Sequence, residues 1–273
     1  LVIVGLAGLT YAIIEGPRAG WTSVQTLAVF AVAGLALAAL VPYELRRREP
    51  LLEMRFFSSA PFSGASAIAV MTFCALGGFL FLNTIYLQNG RGLSPLDAGL
   101  YLLPMAAMLL VCSPLSGRIV GRRGARGPLL VAAVAIVAAG LMLTSLSSTT
   151  PAAYLIVSYV LFGIGMGFVN PPITNTAVSG MPPAQAGVAA AVASTSRQVG
   201  MTLGVAIIGA VAGGTLGAQL GPGFAAATHP GWWIVVALGG AIGLVGALSS
   251  GAWAQATARR TAERFHKPAG ASA

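Results

Sequence analysis

The chain is short of charge. Lys, Arg, Asp and Glu together make up 8% of its 273 residues, where a soluble domain carries roughly 25%. So few charges do not cover a water-facing surface, which excludes the soluble globular and disordered classes. Histidine occurs only at His229 and His266, and the six acids are Glu15, Glu44, Glu49, Glu53, Asp97 and Glu263. All of them lie in loops, in the tail or at the ends of apolar runs. No acid pair, His/Asp cluster or metal-ligand spacing therefore falls inside an apolar run. A membrane-embedded hydrolase or metalloenzyme needs such groups, so the chain reads as a non-enzyme with no cofactor and no metal. Cys74 and Cys112 sit within apolar runs and read as small buried hydrophobes, not as a disulfide or a metal site. No basic segment precedes the first apolar stretch, so no signal peptide is expected. The chain starts with Leu1 inside an apolar run, from which a piece of a longer protein or an unusual start codon is expected.

What is abundant is apolar. Residues of the AVILMFWYC set make up 56%, with 36 glycines and 16 prolines, both better tolerated in membrane helices than in soluble ones. The apolar runs are continuous, not alternating, which excludes an outer-membrane barrel. A spanning helix needs about 20 mostly apolar residues. Eight stretches qualify, at 1–14, 24–43, 62–87, 98–116, 128–146, 152–176, 187–212 and 232–253. The first is short, as if cut at its N-terminal end. The fold class expected is an all-α integral membrane protein. Residues 1–60 form two linker helices and a polar linker, 61–255 a six-helix bundle, and 256–273 a tail. In Ser94-Pro95-Leu96-Asp97, Ser94 is placed to cap a helix, with Pro95 at its first position. Thr150-Pro151 repeats that pattern, and Met181-Pro182-Pro183 breaks the chain. The tail from Gln255 reads as an extension of the last helix. Leu51, Leu52, Met54, Phe56 and Phe57 make part of the polar linker a candidate interfacial helix.

The formal net charge is +9. In a soluble protein that would point to nucleic acid. Here the basic residues occupy short loops between apolar runs, so they report topology, and no nucleic-acid partner is expected. Twelve of the fifteen fall in one alternating set of loops: Arg46, Arg47, Arg48 and Arg55; Arg118, Arg122, Arg123 and Arg126; Arg259, Arg260, Arg264 and Lys267. The other loops hold Arg18 and Arg91. The richer set is cytoplasmic by the positive-inside rule, which puts both termini inside the cell and the protein in the plasma membrane.

Arg197 is the one ionisable residue well inside a run. A charge at mid-bilayer costs at least about 2.5 kcal/mol even on lenient scales, so it faces a cavity or a polar partner. Two readings stay open: a substrate-facing or gating arginine, with Gln198 beside it, or a side chain that snorkels to the cytoplasm or makes a structural bond to backbone carbonyls. Asn83 and Asn170 line a cavity or bond between helices. Asn170 also precedes Pro171-Pro172, where freed carbonyls need a partner. Glycines four apart, at 163/167, 200/204, 209/213 and 239/243, are expected to let helices approach closely. The stretch GRIVGRRGARG at 117–127 reads as a very short turn in which glycine supplies positive φ.

That stretch resembles the cytoplasmic motif G-x-L-a-D-R-x-G-R-[KR] of the major facilitator superfamily. Gly117, Ile119, Arg122, Gly124 and Arg126 match it, Gly121 stands where the motif has aspartate, and Ala125 replaces a basic residue. YLQNGRGLSPLDAGLYLLP from Tyr86, GIGMGFVNPP from Gly163 and AGVAAAVASTSRQVGMTLGVA from Ala186 are similar to the fourteen-helix drug:proton antiporter branch, as is PLLEMRFFSS from Pro50. The resemblance implies a C-terminal portion: two central helices and the second six-helix half, with the first six helices missing. It implies proton-coupled antiport of small hydrophobic or amphipathic compounds by alternating access across the lipid bilayer. A non-transporting membrane module that pairs with another chain is the competing reading. Arg197, Gln198, Asn170 and Asn83 are the candidate cavity or gating residues, and Gly117, Arg122, Gly124 and Arg126 the candidate cytoplasmic turn.

Overall fold

The structure is a computed structural model that describes residues 1–46, 57–178, 186–216 and 224–266. Most of the polar linker, Met181-Pro182-Pro183 and the last seven residues lie outside the described residues. Eleven α-helices are described: α1 Val2–Ala19, α2 Val24–Arg46, α3 Ala60–Ile85, α4 Pro95–Tyr101, α5 Leu103–Arg123, α6 Arg126–Leu143, α7 Ala152–Val178, α8 Ala186–Leu216, α9 Phe224–Ala227, α10 His229–Ser249 and α11 Ala252–His266. A π-helical turn, Tyr86–Gly90, prolongs α3. There is no strand among the described residues.

Among the described residues, seven helical segments are long and apolar enough to cross a membrane: α1, α2, α3 with its π-turn, α4–α5, α6, α7 and α9–α10. The chain is an all-α, multi-pass membrane protein. The eighth expected span corresponds to α8. It is 31 residues long and is not among these seven, but its charge-free stretch 199–216 follows the polar run Ser194–Gln198, and it makes the fifth pass of the six-helix bundle. Elsewhere the boundaries moved for physical reasons. The fourth span is broken after Tyr101, where Pro104 has no N–H to give the preceding turn. The tail is a separate helix, because the chain bends at Ser250–Gly251 before α11. Ser94 caps α4 as expected, its Oγ accepting from Asp97 N at 3.2 Å. Thr150 does not cap α7; its Oγ1 accepts from Ser147 N at 2.8 Å inside the preceding loop.

Bilayer hydrocarbon gives helices no hydrophobic reason to associate, so close packing has to come from small residues. The glycines supply it. A Cβ on Gly77 would lie 2.5 Å from the Met201 carbonyl oxygen, and one on Gly200 or Gly204 would collide with the carbonyls of Val70 and Cys74. α3 and α8 thus touch backbone to backbone. Gly163 does the same for α7 against the Met105 carbonyl of α5 and Gly167 takes the Cβ of Cys112, while Gly239 and Gly243 bring α10 against Val137 and the Ala133 methyl of α6. α3 also packs on α10, and α6 on α7. Exchanging the triplet α3, α5, α6 with the triplet α7, α8, α10 maps this set of contacts onto itself. Each triplet is three passes, so α3 and α7 run in opposite directions, which is the pattern of an inverted repeat. α1 and α2 pack on each other, and α1 lies against α8.

The widest gap, where α3, α7 and α10 meet, is filled by aromatic rings. Phe79 stacks on Phe162 with centroids 4.0 Å apart, and Tyr159 and Trp232 meet Phe79 edge-on at 5.5 and 5.9 Å. Beyond these rings, at the end opposite the arginine-rich one, side chains hold the α6–α7 loop by its carbonyls. Tyr86 Oη donates to Ser147 O at 2.7 Å, Arg91 to Thr150 O, and His229 Nε2 lies 2.9 Å from Leu146 O.

Gly204→Ala is expected to lower the unfolding midpoint in detergent, at about 1–3 kcal/mol for a forced overpacking. Gly240→Ala, where nothing lies within 4 Å of the new methyl, is expected to leave it unchanged or raise it by up to about 1 kcal/mol from helix propensity. Equal effects at the two sites would contradict the backbone-contact account.

Candidate functional site

α8 carries the polar stretch Ser194–Gln198 between α3, α7 and α1. Arg197 lies eleven residues into the helix, about 16 Å from its start by rise alone. Helical side chains lean toward the N-terminus, and this one follows. Its Nη2 donates to Thr174 Oγ1 at 2.6 Å, and Thr174 is only four residues, about 6 Å, from the last residue of α7. The guanidinium sits 5.8 Å over the ring of Phe73 on α3. The residue is half-buried, and its Nε is buried without a hydrogen-bond partner. The charge thus hangs between α3 and α7, below mid-helix, held by one hydroxyl and one ring face.

Asn170 lies one turn from Thr174 on the same helix. Its amide donates to Met166 O at 3.1 Å. That carbonyl is not one freed by the proline pair. Pro172 frees the carbonyl of Phe168, and its partner comes from the neighbouring helix: Ser116 Oγ of α5 donates to Phe168 O at 2.8 Å. The expectation that Asn170 would serve a freed carbonyl is corrected here.

Gln198 does not share a face with Arg197. Successive residues are about 100° apart around a helix, so Gln198 points instead to a cavity of about 530 Å³ between α1 and α8, lined also by Leu6, Tyr11, Thr195 and Thr202. A second cavity of about 420 Å³ shares Ile14 with it and runs on to Arg18 and Phe81. Asn83 is fully buried. Tyr159 Oη donates to its Oδ1, and its Nδ2 donates to Phe79 O at 2.9 Å. Asn83 therefore ties α3 to α7 beside the aromatic cluster and lines no cavity in this conformation.

The expected turn is shorter than its glycines suggest. α5 continues to Arg123, so Gly117, Gly121 and Arg122 are helical, and only Gly124, at φ 81°, takes a conformation that L-residues avoid. Gly124 N closes the helix on Val120 O at 3.0 Å. Arg118, Arg122, Arg123 and Arg126 are exposed around this end. Gly117 faces α7, where an added Cβ would come 3.9 Å from Pro171 Cβ. The arginine turn and the Asn170–Arg197 region thus meet across the proline pair.

Three participants carried no signal in the sequence. Phe73 and Tyr159 are aromatics within apolar runs, where nothing separates a platform or bonding partner from ordinary core. Ser116 is a lone serine in a run. Thr10 and Tyr11, side by side on α1 and both lining the larger cavity, did interrupt an apolar run.

Comparison with known proteins places this geometry in context. The family model of the Major Facilitator Superfamily matches residues 1–205. The chain is 38% identical over 222 residues to multidrug resistance protein Stp of Mycobacterium tuberculosis, covering 81% of this chain and 41% of that protein. It is 36% identical over 202 residues to the tetracenomycin C resistance and export protein of Streptomyces glaucescens, 74% of this chain and 37% of that one. It is 35% identical over 210 residues to the methylenomycin A resistance protein of Streptomyces coelicolor, 77% and 44%. The chain spans about two-fifths of the length of these curated relatives.

Ser116→Ala leaves the Phe168 carbonyl without its partner. The expected loss is about 1 kcal/mol, within the range measured for hydrogen bonds between membrane helices, read as unfolding in SDS titrations. Ser194→Ala, at an exposed position, is expected to leave the titration unchanged.

Proposed function

Since the chain belongs to the major facilitator superfamily, we propose that it forms the bundle against which a proton-coupled exporter of hydrophobic or amphipathic compounds closes. The relatives named for multidrug resistance and for antibiotic export and resistance support the substrate class. The observation that carries the reading is Arg197. It is the one ionisable residue far from a span end, it is half-exposed, and its guanidinium stands between α3 and α7, the first helices of the two repeats. Sites at repeat interfaces are where transporters of this kind bind their cargo. The chain spans two-fifths of its relatives' length, so transport is assigned to a unit in which this bundle rocks against a second six-helix bundle. The proton-coupling groups belong to that second body, because no acid lies inside a span here. Arg197, with Asn170 near it, acts as the cavity or gating group, Gln198 lines the separate cavity between α1 and α8, and Gly117, Arg122, Gly124 and Arg126 act as the cytoplasmic turn. The protein sits in the plasma membrane with both termini inside the cell.

Proton-linked efflux from vesicles carrying the complete transport unit is expected to be lost on Arg197→Ala and retained on Arg197→Lys. Full efflux by the alanine variant would remove Arg197 from the mechanism. For topology, Gly121→Cys is expected to resist a membrane-impermeant maleimide in intact cells and to react in everted vesicles. Cys74 and Cys112, both buried, give little background. Labelling from outside would invert the assigned orientation.

A further inference from the structure

Among the described residues, the environment of Arg197 lacks one thing: a negative charge. Among the described residues its polar contact is a neutral hydroxyl, Thr174 Oγ1 at 2.6 Å, and its other neighbour is the face of Phe73. The six acids of the chain all lie at span ends, in loops or in the tail. A guanidinium has five N–H donors in a fixed fork. Here Nη2 is engaged and Nε is enclosed, while the residue as a whole stays half-exposed. A cation in low dielectric attracts an anion far more strongly than it would in water. Anchoring by the hydroxyl and the ring removes the rotamer freedom that an arginine otherwise loses on binding.

From this arrangement the geometry points to a specific ligand class: Arg197 is an anion-recognition point, and the amphipathic compounds this bundle takes carry a carboxylate or comparable acidic oxygen beside an apolar ring system. The acid pairs with the outer nitrogens of the guanidinium. The apolar part has the ring of Phe73, over which the guanidinium already sits, as its neighbour. The arginine-rich end strengthens supply. Twelve basic residues against Glu44, Glu49, Glu53 and Glu263 make a positive mouth that raises the local concentration of anions. Topology alone accounts for that surplus, so it supports recruitment, while recognition rests on Arg197. This inference depends on the export reading for its biological sense but not for its test.

The test is equilibrium binding of pyrenebutyric acid and its methyl ester to the purified chain in nanodiscs of zwitterionic lipid, with empty discs subtracted. The wild-type chain is expected to bind the acid about tenfold more tightly than the ester, the difference that one charge-assisted hydrogen-bonded pair supplies. Arg197→Gln is expected to bring the acid down to the level of the ester while leaving the ester within about twofold. Arg197→Lys keeps part of the preference. Equal binding of acid and ester by the wild-type chain overturns the inference, and needs no variant to fold. So does an Arg197→Gln variant that weakens both probes alike, which marks a structural role. Acid-selective binding without proton-linked efflux of either probe by the complete unit would count against the export reading and leave the anion site standing.

Discussion

Membrane helices that are apolar all round gain nothing from hiding from lipid, which is as oily as they are. Association must come from contact, and contact from backbones that approach without side chains between them. In this protein that constraint is met by glycines on three seams, α3 with α8, α5 with α7 and α6 with α10. The seams are related by the exchange of the two helix triplets, so one packing solution serves both halves of the repeat. Where the helices splay apart, aromatic rings around Phe79 fill the space, and Tyr159 and Asn83 supply a hydrogen bond in place of the missing glycines.

Much of this was legible in the sequence because it depends on composition and spacing. Continuous apolar runs gave the helices, glycines four apart gave the seams, and Ser94-Pro95 gave a helix start that the structure repeats. What was not legible depends on three-dimensional neighbours. GRIVGRR reads as a turn, yet a helix continues through glycine whenever nothing forces it to stop, and here only Gly124 takes a positive φ. Thr150 looks like a cap but bonds backwards into its own loop. Asn170 stands next to the proline pair, but the carbonyl freed by Pro172 is served by Ser116, fifty-two residues away in the chain. Arg197 and Gln198, read as one unit, diverge because neighbours on a helix face different partners.

The arginine shows how cost and use combine. Its charge is expensive in a span, and the chain lowers the expense with a helix lean, a threonine hydroxyl and an aromatic face, each a weak partner. None of the three neutralises it. A fully satisfied arginine, paired with a carboxylate, would be bound permanently and could meet no visitor. The weakness of its surroundings is what leaves a half-exposed charge unneutralised.

The bond from Ser116 to the Phe168 carbonyl has a mechanical consequence. A helix whose ladder is interrupted by two prolines is free to flex, but here the loose rung is tied to the adjacent helix one residue before Gly117. That bond couples the proline joint of α7 to the end of α5 and its exposed arginines with the strength of one hydrogen bond between membrane helices, about 1 kcal/mol.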